Sequence, residues 1–390
     1  MSEWKRVKLR DCIEEINEKT TKNNQYEVLS VTKDGIFSQE EFFKKQIASA
    51  NNIGYKIIRK NNLVFSTMNL WMGSLDVLTN YDIGIVSPAY KVFVFNENLM
   101  IPAYGNYFMK SYYMLEQYKN CSEQGASIVR RNLDLKALLN IEINIPPIEE
   151  QEKIVKILKN IESIIEKYES LLEGKKQFIK LLFREMFEKL KTYEKIGDIC
   201  TVKARIGWQG LTRKEYLEDG EYNLVTGIDF KGNKIDFDKC YYVTKQRYEQ
   251  DKNIQLKVGD VLVTKDGTIG KVALIEELKK PATLNSGVFV VRDKKNKLIP
   301  QYLKSALLTS NFENFINSLK TGSTIAHLNQ EAFLKYKIPV PSIEEQKNFE
   351  MVSNQIDTQK IQLERLIANY KTLKKGLMQR LLTGKVKVDV

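Results

Sequence analysis

A chain of 390 residues with 43% hydrophobic and 10% aromatic content carries enough apolar material for two folded cores and a helical element, which excludes a disordered chain. Its net charge of +12 and pI near 9.2 favour an acidic partner, nucleic acid before a membrane surface. No apolar run reaches the roughly 20 residues of a membrane span, the start Met1-Ser2-Glu3-Trp4-Lys5 lacks a leader pattern, and Cys12, Cys121, Cys200 and Cys240 form no CxxC pair, so a reducing, cytoplasmic setting without disulfides is expected.

Residues 1–147 mix short β-branched runs with turns. Val28–Thr32 reads as a strand ending in the turn Lys33-Asp34-Gly35, Lys56–Ile58 and Leu63–Phe65 as further strands, and Tyr90–Phe95 as the clearest one. Tyr104–Tyr118 is long enough for one helix. Ile143-Asn144-Ile145-Pro146-Pro147 is extended, because proline restrains its own φ and the residue before it. It leads into Ile148-Glu149-Glu150-Gln151 and a heptad-patterned segment of about 40 residues, roughly 60 Å as a helix.

The second half repeats this plan. Leu9-Arg10-Asp11 is matched by Ile196-Gly197-Asp198, and strands are expected at Tyr222–Thr226, Val258–Thr264, Lys271–Ile275 and Gly287–Val291, then a helix at Pro300–Leu319. The stretch Ile338-Pro339-Val340-Pro341-Ser342 precedes Ile343-Glu344-Glu345-Gln346, the same four residues 195 positions later. Ser342 and Glu345 form a capping-box pattern; Pro147 replaces the serine in the first copy. Gly125-Ala126-Ser127-Ile128 corresponds to Gly322-Ser323-Thr324-Ile325, and Asn62–Thr67 to Asp260–Lys265. The period is half the chain, so one whole module is duplicated.

Ile154/Phe349, Ile157/Val352, Ile161/Ile356, Tyr168/Leu363, Leu171/Leu366, Phe178/Leu373 and Leu182/Leu377 are apolar in both long segments and step by three and four, the pattern of a coiled-coil seam. Lys175/Tyr370 is an irregular rung, and at Ile164/Gln359 the second copy carries a polar residue in the seam. Each helix finds its partner in the other, antiparallel given the order of the elements. The expected fold class is α+β: mixed α/β domains at 1–147 and 192–342 separated by a long antiparallel two-helix coiled coil (148–191 and 343–384), with an internal pseudo-two-fold repeat and a basic tail at 385–390.

The Pro–Ile-Glu-Glu-Gln start of each long helix, its recurrence at half-chain spacing and the terminus Gly376-Leu377-Met378-Gln379-Arg380-Leu381-Leu382-Thr383-Gly384-Lys385-Val386-Lys387-Val388 resemble the specificity (S) subunit of type I restriction–modification systems. The resemblance covers essentially the whole chain. It implies two target recognition domains, each reading one half of a bipartite, asymmetric double-stranded DNA target, with helices that hold the half-sites at a set spacing. It also implies partners: two methyltransferase (M) subunits docked on the helices, joined by restriction (R) subunits, and no catalysis in this chain. Ile165, Leu172, Ile179 and Met186, beside the seam, are the expected docking residues; alternatively they widen the seam.

Base reading needs donors and acceptors on loops and strand ends. The candidates in the first domain are Lys33, Asp34, Ser66, Thr67, Asn69, Trp71, Ser87, Tyr90, Arg130 and Arg131. Those in the second are Trp208, Gln209, Lys265, Asp266, Thr268, Asn285, Ser286, Thr324 and His327. The loop Thr264–Gly270 stands out because its strand-then-polar-loop pattern recurs at Ser66–Gly73, although Asp266-Gly267 is also ordinary hairpin chemistry. One histidine, no metal-spaced cluster, no Walker loop and no Asn-Pro-Pro-aromatic motif leave no cofactor or catalytic centre to expect. The competing readings are a coiled-coil scaffold whose basic ends bind nucleic acid without sequence preference, and an enzyme with its active site in one domain.

Overall fold

A computed structural model of the protein describes residues 3–42, 51–124, 131–189, 192–320 and 327–388. The chain divides into two compact units, residues 1–170 with 364–390, and residues 171–363. Each long helix is therefore shared out between the units.

In the first unit β1 (Ile13–Ile16), β2 (Leu63–Ser66), β3 (Leu75–Val77) and β4 (Tyr90–Phe95) form an antiparallel sheet in the order β1-β4-β2-β3. Leu63, Val64 and Phe65 are all buried because both faces of this sheet are covered. Leu63, Phe65 and Phe93 meet the helices on one side, while Val64 and Val92 meet the layer of Leu29, Val31, Ile36 and Ile58 on the other. Two helices follow, α1 (Pro102–Met109) and α2 (Tyr112–Asn120), then the long α3 (Ile148–Lys189).

The second unit repeats the plan with β5 (Cys200–Lys203), β6 (Val261–Thr264), β7 (Val272–Leu274) and β8 (Val288–Asp293) in the order β5-β8-β6-β7, followed by α4 (Pro300–Ala306), α5 (Ser310–Lys320) and the long α6 (Ile343–Leu381). Gly73 and Gly270 turn the β2–β3 and β6–β7 hairpins at the same φ of +84°. A Cβ there would stand 3.2 Å from Leu115 and 3.1 Å from Ile316, so both positions ask for glycine twice over.

The single helices expected over 104–118 and 300–319 are each two. Ser111 breaks the first by accepting the amide of Met114 at 3.3 Å, and Thr309 breaks the second by accepting that of Phe312 at 3.4 Å. A hydroxyl at this place starts a new helix better than it continues an old one. The proline-bearing stretches are strands: Glu142–Ile145 pairs with Lys5–Lys8, and Lys337–Pro339 with Tyr193–Lys195. Each module thus closes its own first strand onto its last before the long helix begins.

The repeated glutamine has a physical explanation. Gln151, fully buried, donates to the carbonyls of Leu99 (2.7 Å) and Pro146 (2.9 Å) and accepts from the amide of Ile101 (3.0 Å). Gln346, also fully buried, donates to Lys297 (2.7 Å) and Pro341 (2.9 Å) and accepts from Ile299 (2.8 Å). In both units one amide side chain ties the first turn of the long helix to the segment preceding the paired helices.

The acidic residue just before it differs between copies. Glu345 is solvent-exposed and accepts from the backbone amide (2.9 Å) and hydroxyl (2.8 Å) of Ser342, which hold its carboxyl below the usual carboxylate range. Glu150 is buried and accepts from the Trp4 indole (3.2 Å) and the Val388 amide (3.4 Å), anchoring the C-terminal segment, whose Leu381 and Leu382 join the first core. A depressed carboxyl stabilises above its unfolded pKa and loses that contribution as pH falls through the folded one. Ser342→Ala is therefore expected to destabilise the second unit at neutral pH, and the part owed to the carboxylate is lost as pH falls below the ordinary carboxylate range, while the part owed to the cap bond from the Glu345 amide (3.3 Å) persists; urea unfolding at neutral and acid pH checks this.

The seam keeps Ile154, Ile161, Tyr168 and Leu182 from the stripe shared by the two copies and shifts by one residue at the rungs between them, to Leu158, Ile165, Leu172 and Ile179. Ile154, Leu158, Ile161, Ile165 and Tyr168 turn inward in the first unit, against Ile367, Tyr370, Lys374 and Leu377. In the second unit Leu172, Lys175, Ile179 and Leu182 face Phe349, Ser353, Ile356, Lys360 and Leu363. The strands of this ladder run antiparallel within each unit: Lys374 pairs with Glu162 (2.6 Å) and Lys371 with Glu169 (2.7 Å) in the first, while Lys175 reaches Gln359 (2.7 Å) and the Phe183 and Phe349 rings lie 4.2 Å apart in the second. At the irregular rung Lys175/Tyr370, Tyr370 packs on Tyr168 with ring centroids 5.8 Å apart, while Lys175 is half-buried. Ile165, Leu172 and Ile179 lie in the seam, Ile165 only 7% exposed, and do not form an outward face. Among the outward apolar positions, Leu171 (48% exposed), Phe178 (54%), Leu366 (39%) and Leu373 (48%), with Val352, are ones the shared pattern had placed inside. The side chain of Met186 lies outside the described residues.

Candidate nucleic-acid interface

In each unit the loops that follow β2 or β6 and precede β4 or β8 lie at the same end of the sheet, because Ser66 pairs in register with Tyr90 and Thr264 with Val288. That end gathers segments distant in sequence.

In the first unit the loop after β2 turns through a short 3₁₀ helix at Leu70–Met72. Ser66 and Asn69 are half-buried and spend main-chain groups on this turn: the Asn69 amide donates to Ser66 (3.2 Å), and the Met72 and Ser74 amides to Asn69 (3.0 and 3.3 Å). Thr67 is half-buried beside them. The Arg131 amide donates to the Met68 carbonyl (3.3 Å), and its guanidinium carbon stands 4.5 Å from the centroid of the Trp71 ring. Arg131 Nε is buried without a hydrogen-bond partner, and Arg131 forms no ion pair among the described residues. Ser87 caps the turn before β4, and burial raises the pKa of Tyr90, opposed by a backbone hydrogen bond from Val31. Lys33 and Asp34 are exposed at the tip of the hairpin Leu29–Thr32/Gly35–Ser38. Met68 and Met72, both exposed, add apolar surface that the sequence reading missed. Arg130 lies outside the described residues.

In the second unit the loop Thr264–Gly270 is pinned by its own first residue. Thr264 Oγ1 donates to Thr268 O (2.6 Å) and accepts from the Lys271 amide (2.9 Å). The Lys265 amide donates to Gly287 (2.9 Å), and the Leu328 amide to the Lys265 carbonyl (2.9 Å). Asp266, 44% exposed by side chain, holds His327 Nδ1 on one carboxylate oxygen and the Lys265 ammonium at 3.2 Å on the other. The Lys265 ammonium offsets a carboxylate that would otherwise repel a polyanion. The Lys265 ammonium also lies 5.8 Å from the centre of the Phe289 ring.

Asp266 and Thr268 open onto a cleft of about 730 Å³ that also includes Arg213, Tyr216, Ile228 and Tyr241. The Tyr216 and Tyr241 rings are 5.4 Å apart, and Ile228 is 78% exposed. None of these four carries a local sequence signal; the pairing of Leu217 with Tyr242 brings their segments together. Asn285 and Ser286 lie there too, but their polar groups are turned on one another: Ser286 donates to Asn285 Oδ1, and Asn285 donates to the Tyr216 hydroxyl at 2.5 Å. Gln209 is buried, so its side chain is not offered to a ligand. The main chain of Trp208 sits in a short 3₁₀ turn; its side chain, and all of Thr324, lie outside the described residues. Arg205 supports this end from within, donating to Leu284 O (2.8 Å) and Thr283 Oγ1 (3.3 Å); burial lowers its pKa.

No group of three or more His, Cys, Asp or Glu is arranged to hold a metal among the described residues, and no described helix is long and apolar enough to cross a membrane. All four cysteines are free, and burial pushes the Cys12 and Cys200 thiols up to about 12.

Comparison with known proteins places this architecture. The family model for the type I restriction modification DNA specificity domain matches twice, over residues 1–173 and 189–370. The MjaVIII specificity subunit of a type I restriction enzyme from Methanocaldococcus jannaschii is 28% identical, over 72% of this chain and 70% of its own. A chain in a structure of a type I R-M system, solved for its complex assembly and conformational transition, superposes with a TM-score of 0.66 at 14% identity over 98% of both chains. The HsdS subunit from Thermoanaerobacter tengcongensis superposes with a TM-score of 0.52 at 15% identity, over 98% of this chain and 97% of its own. At such identities the structural likeness speaks for the fold.

Proposed function

The chain belongs to the type I restriction modification DNA specificity domain family, and on that premise we propose that it is the DNA-recognition subunit of a type I restriction–modification complex, reading a bipartite, asymmetric target with one half-site per domain. The observation that carries this reading is one frame with two contents. The same hairpin and the same glycine recur in both units, and in each a downstream amide bonds a loop carbonyl, yet the side chains at the loop end differ: Trp71 and Arg131 in one, Asp266 and His327 in the other. A shared scaffold with unlike contact groups suits two different half-sites. The candidates that remain accessible for contact are Lys33, Asp34, Trp71 and Arg131 in the first domain, and Asp266, Thr268 and His327 in the second.

Recognition and assembly are this chain's part; methylation and cleavage belong to partner subunits. The outward stripe of Leu171, Phe178, Leu366 and Leu373 supports a docking role for the long helices, since apolar side chains left in water on both copies suit partners that cover them. Two equivalent stripes suit two methyltransferase subunits, with restriction subunits joining that complex.

Co-expression with the methyltransferase subunit and genome-wide mapping of methylated bases tests the proposal. The expected result is one asymmetric motif in two short blocks with a gap of constant length. An active complex that methylates without any such motif refutes it. Equal affinity for matched and scrambled duplexes across a salt titration supports the scaffold reading instead, because the salt-dependent phosphate term carries no sequence information.

A further inference from the structure

Resting on that reading of the domains, we propose that Arg131 reads a guanine in the first half-site and that Trp71 is its positioning residue, while His327, held by Asp266, contacts the second half-site. The Arg131 amide is tied to the Met68 carbonyl and the Leu328 amide to that of Lys265, so in each unit a downstream segment is fixed to the loop end. Beside these ties stand the Arg131 guanidinium in the first unit and the His327 imidazole in the second.

The chemistry of Arg131 fits a base edge. Its guanidinium lies over the Trp71 ring with its carbon 4.5 Å from the centroid, which fixes the plane of the fork without consuming its terminal donors. Nε is buried on the protein side with no acceptor, and no carboxylate among the described residues neutralises the charge. A planar, oriented and uncompensated fork at the end of a sheet matches the paired acceptors O6 and N7 of guanine in the major groove. His327 is oriented by another means: Nδ1 is held by Asp266, whose second oxygen takes Lys265, and half of the imidazole remains exposed.

The test uses the full chain co-expressed with the methyltransferase subunit, with methylated bases mapped for Arg131→Ala, Arg131→Lys, Trp71→Ala, Trp71→Phe and His327→Ala. Arg131→Ala is expected to lower the preference for guanine at one position of the first block by roughly 10- to 100-fold and leave the second block intact. Arg131→Lys keeps the charge, loses the fork and falls in the same way. Trp71→Ala follows Arg131→Ala at that same position, and Trp71→Phe, which keeps an aromatic face, retains most of the preference. His327→Ala changes only the second block. Uniform loss across all sites on Arg131→Ala, or rescue by lysine, overturns the assignment in favour of a phosphate contact, as does an unchanged first block in an active complex. A wild-type complex with no two-block motif defeats the domain reading itself, a different result from an unchanged motif in the variants. Thermal melts of the conservative pair, Arg131→Lys and Trp71→Phe, separate misfolding from altered reading.

Discussion

Gln151→Leu is expected to lower the stability of the first unit by about 3–5 kcal/mol, and Gln346→Leu to do the same to the second, since each leaves two carbonyls and one amide without partners at a buried joint. Leucine keeps nearly the same volume, so the loss reports the hydrogen bonds and not a cavity. The partners at stake are Leu99 O, Pro146 O and the Ile101 amide in one unit, and Lys297 O, Pro341 O and the Ile299 amide in the other. Denaturant unfolding measures the loss, and hydrogen exchange at Ile101 and Ile299 locates it. Glu149→Ala, one turn position away and exposed, is the control and should change little. A loss below about 1 kcal/mol for both glutamine variants, the scale of one ordinary hydrogen bond, would sink this account of the repeat.

The second large effect separates neighbours on one helix. Leu171→Asp with Phe178→Asp should leave the fold intact, since both side chains are about half exposed, and should abolish co-purification with the methyltransferase subunit. Ile165→Asp, on the inward face, should destabilise the first unit by about 3 kcal/mol or more, because a carboxylate enters an apolar seam without a partner. If the exposed pair assembles normally, the docking stripe is misassigned.

That contrast shows what the sequence made legible. The duplication, the mixed domains, the strand–loop pairs and the paired long helices all followed from spacing, because each local pattern agreed with its copy. The phase of the seam followed only at alternate rungs, such as Ile154, Ile161 and Tyr168. Ile157, Ile164, Leu171 and Phe178 form one apolar stripe, Leu158, Ile165, Leu172 and Ile179 another, and periodicity accepts both. Agreement between copies favoured the first, since the second meets Ser353, Lys360 and Lys374 in its partner copy. Lysine, however, can lay its methylenes in a seam and carry its charge out to an acid, as Lys374 does to Glu162. The loop ends were legible as places and not as chemistry. Trp71 and Arg131 are 60 residues apart, and nothing in either segment announces that one stacks on the other. Asn285 and Gln209 looked like base readers by residue type, but one is occupied by its neighbours and the other is buried.

The two glutamine joints touch main-chain atoms alone. A joint of that kind sets no condition on the side chains of the module it holds, only on the course of its backbone. A foreign module with another sequence can take the same seat, provided its backbone follows the same course there, so the joints constrain the path of the chain and leave the residues of each module free to vary.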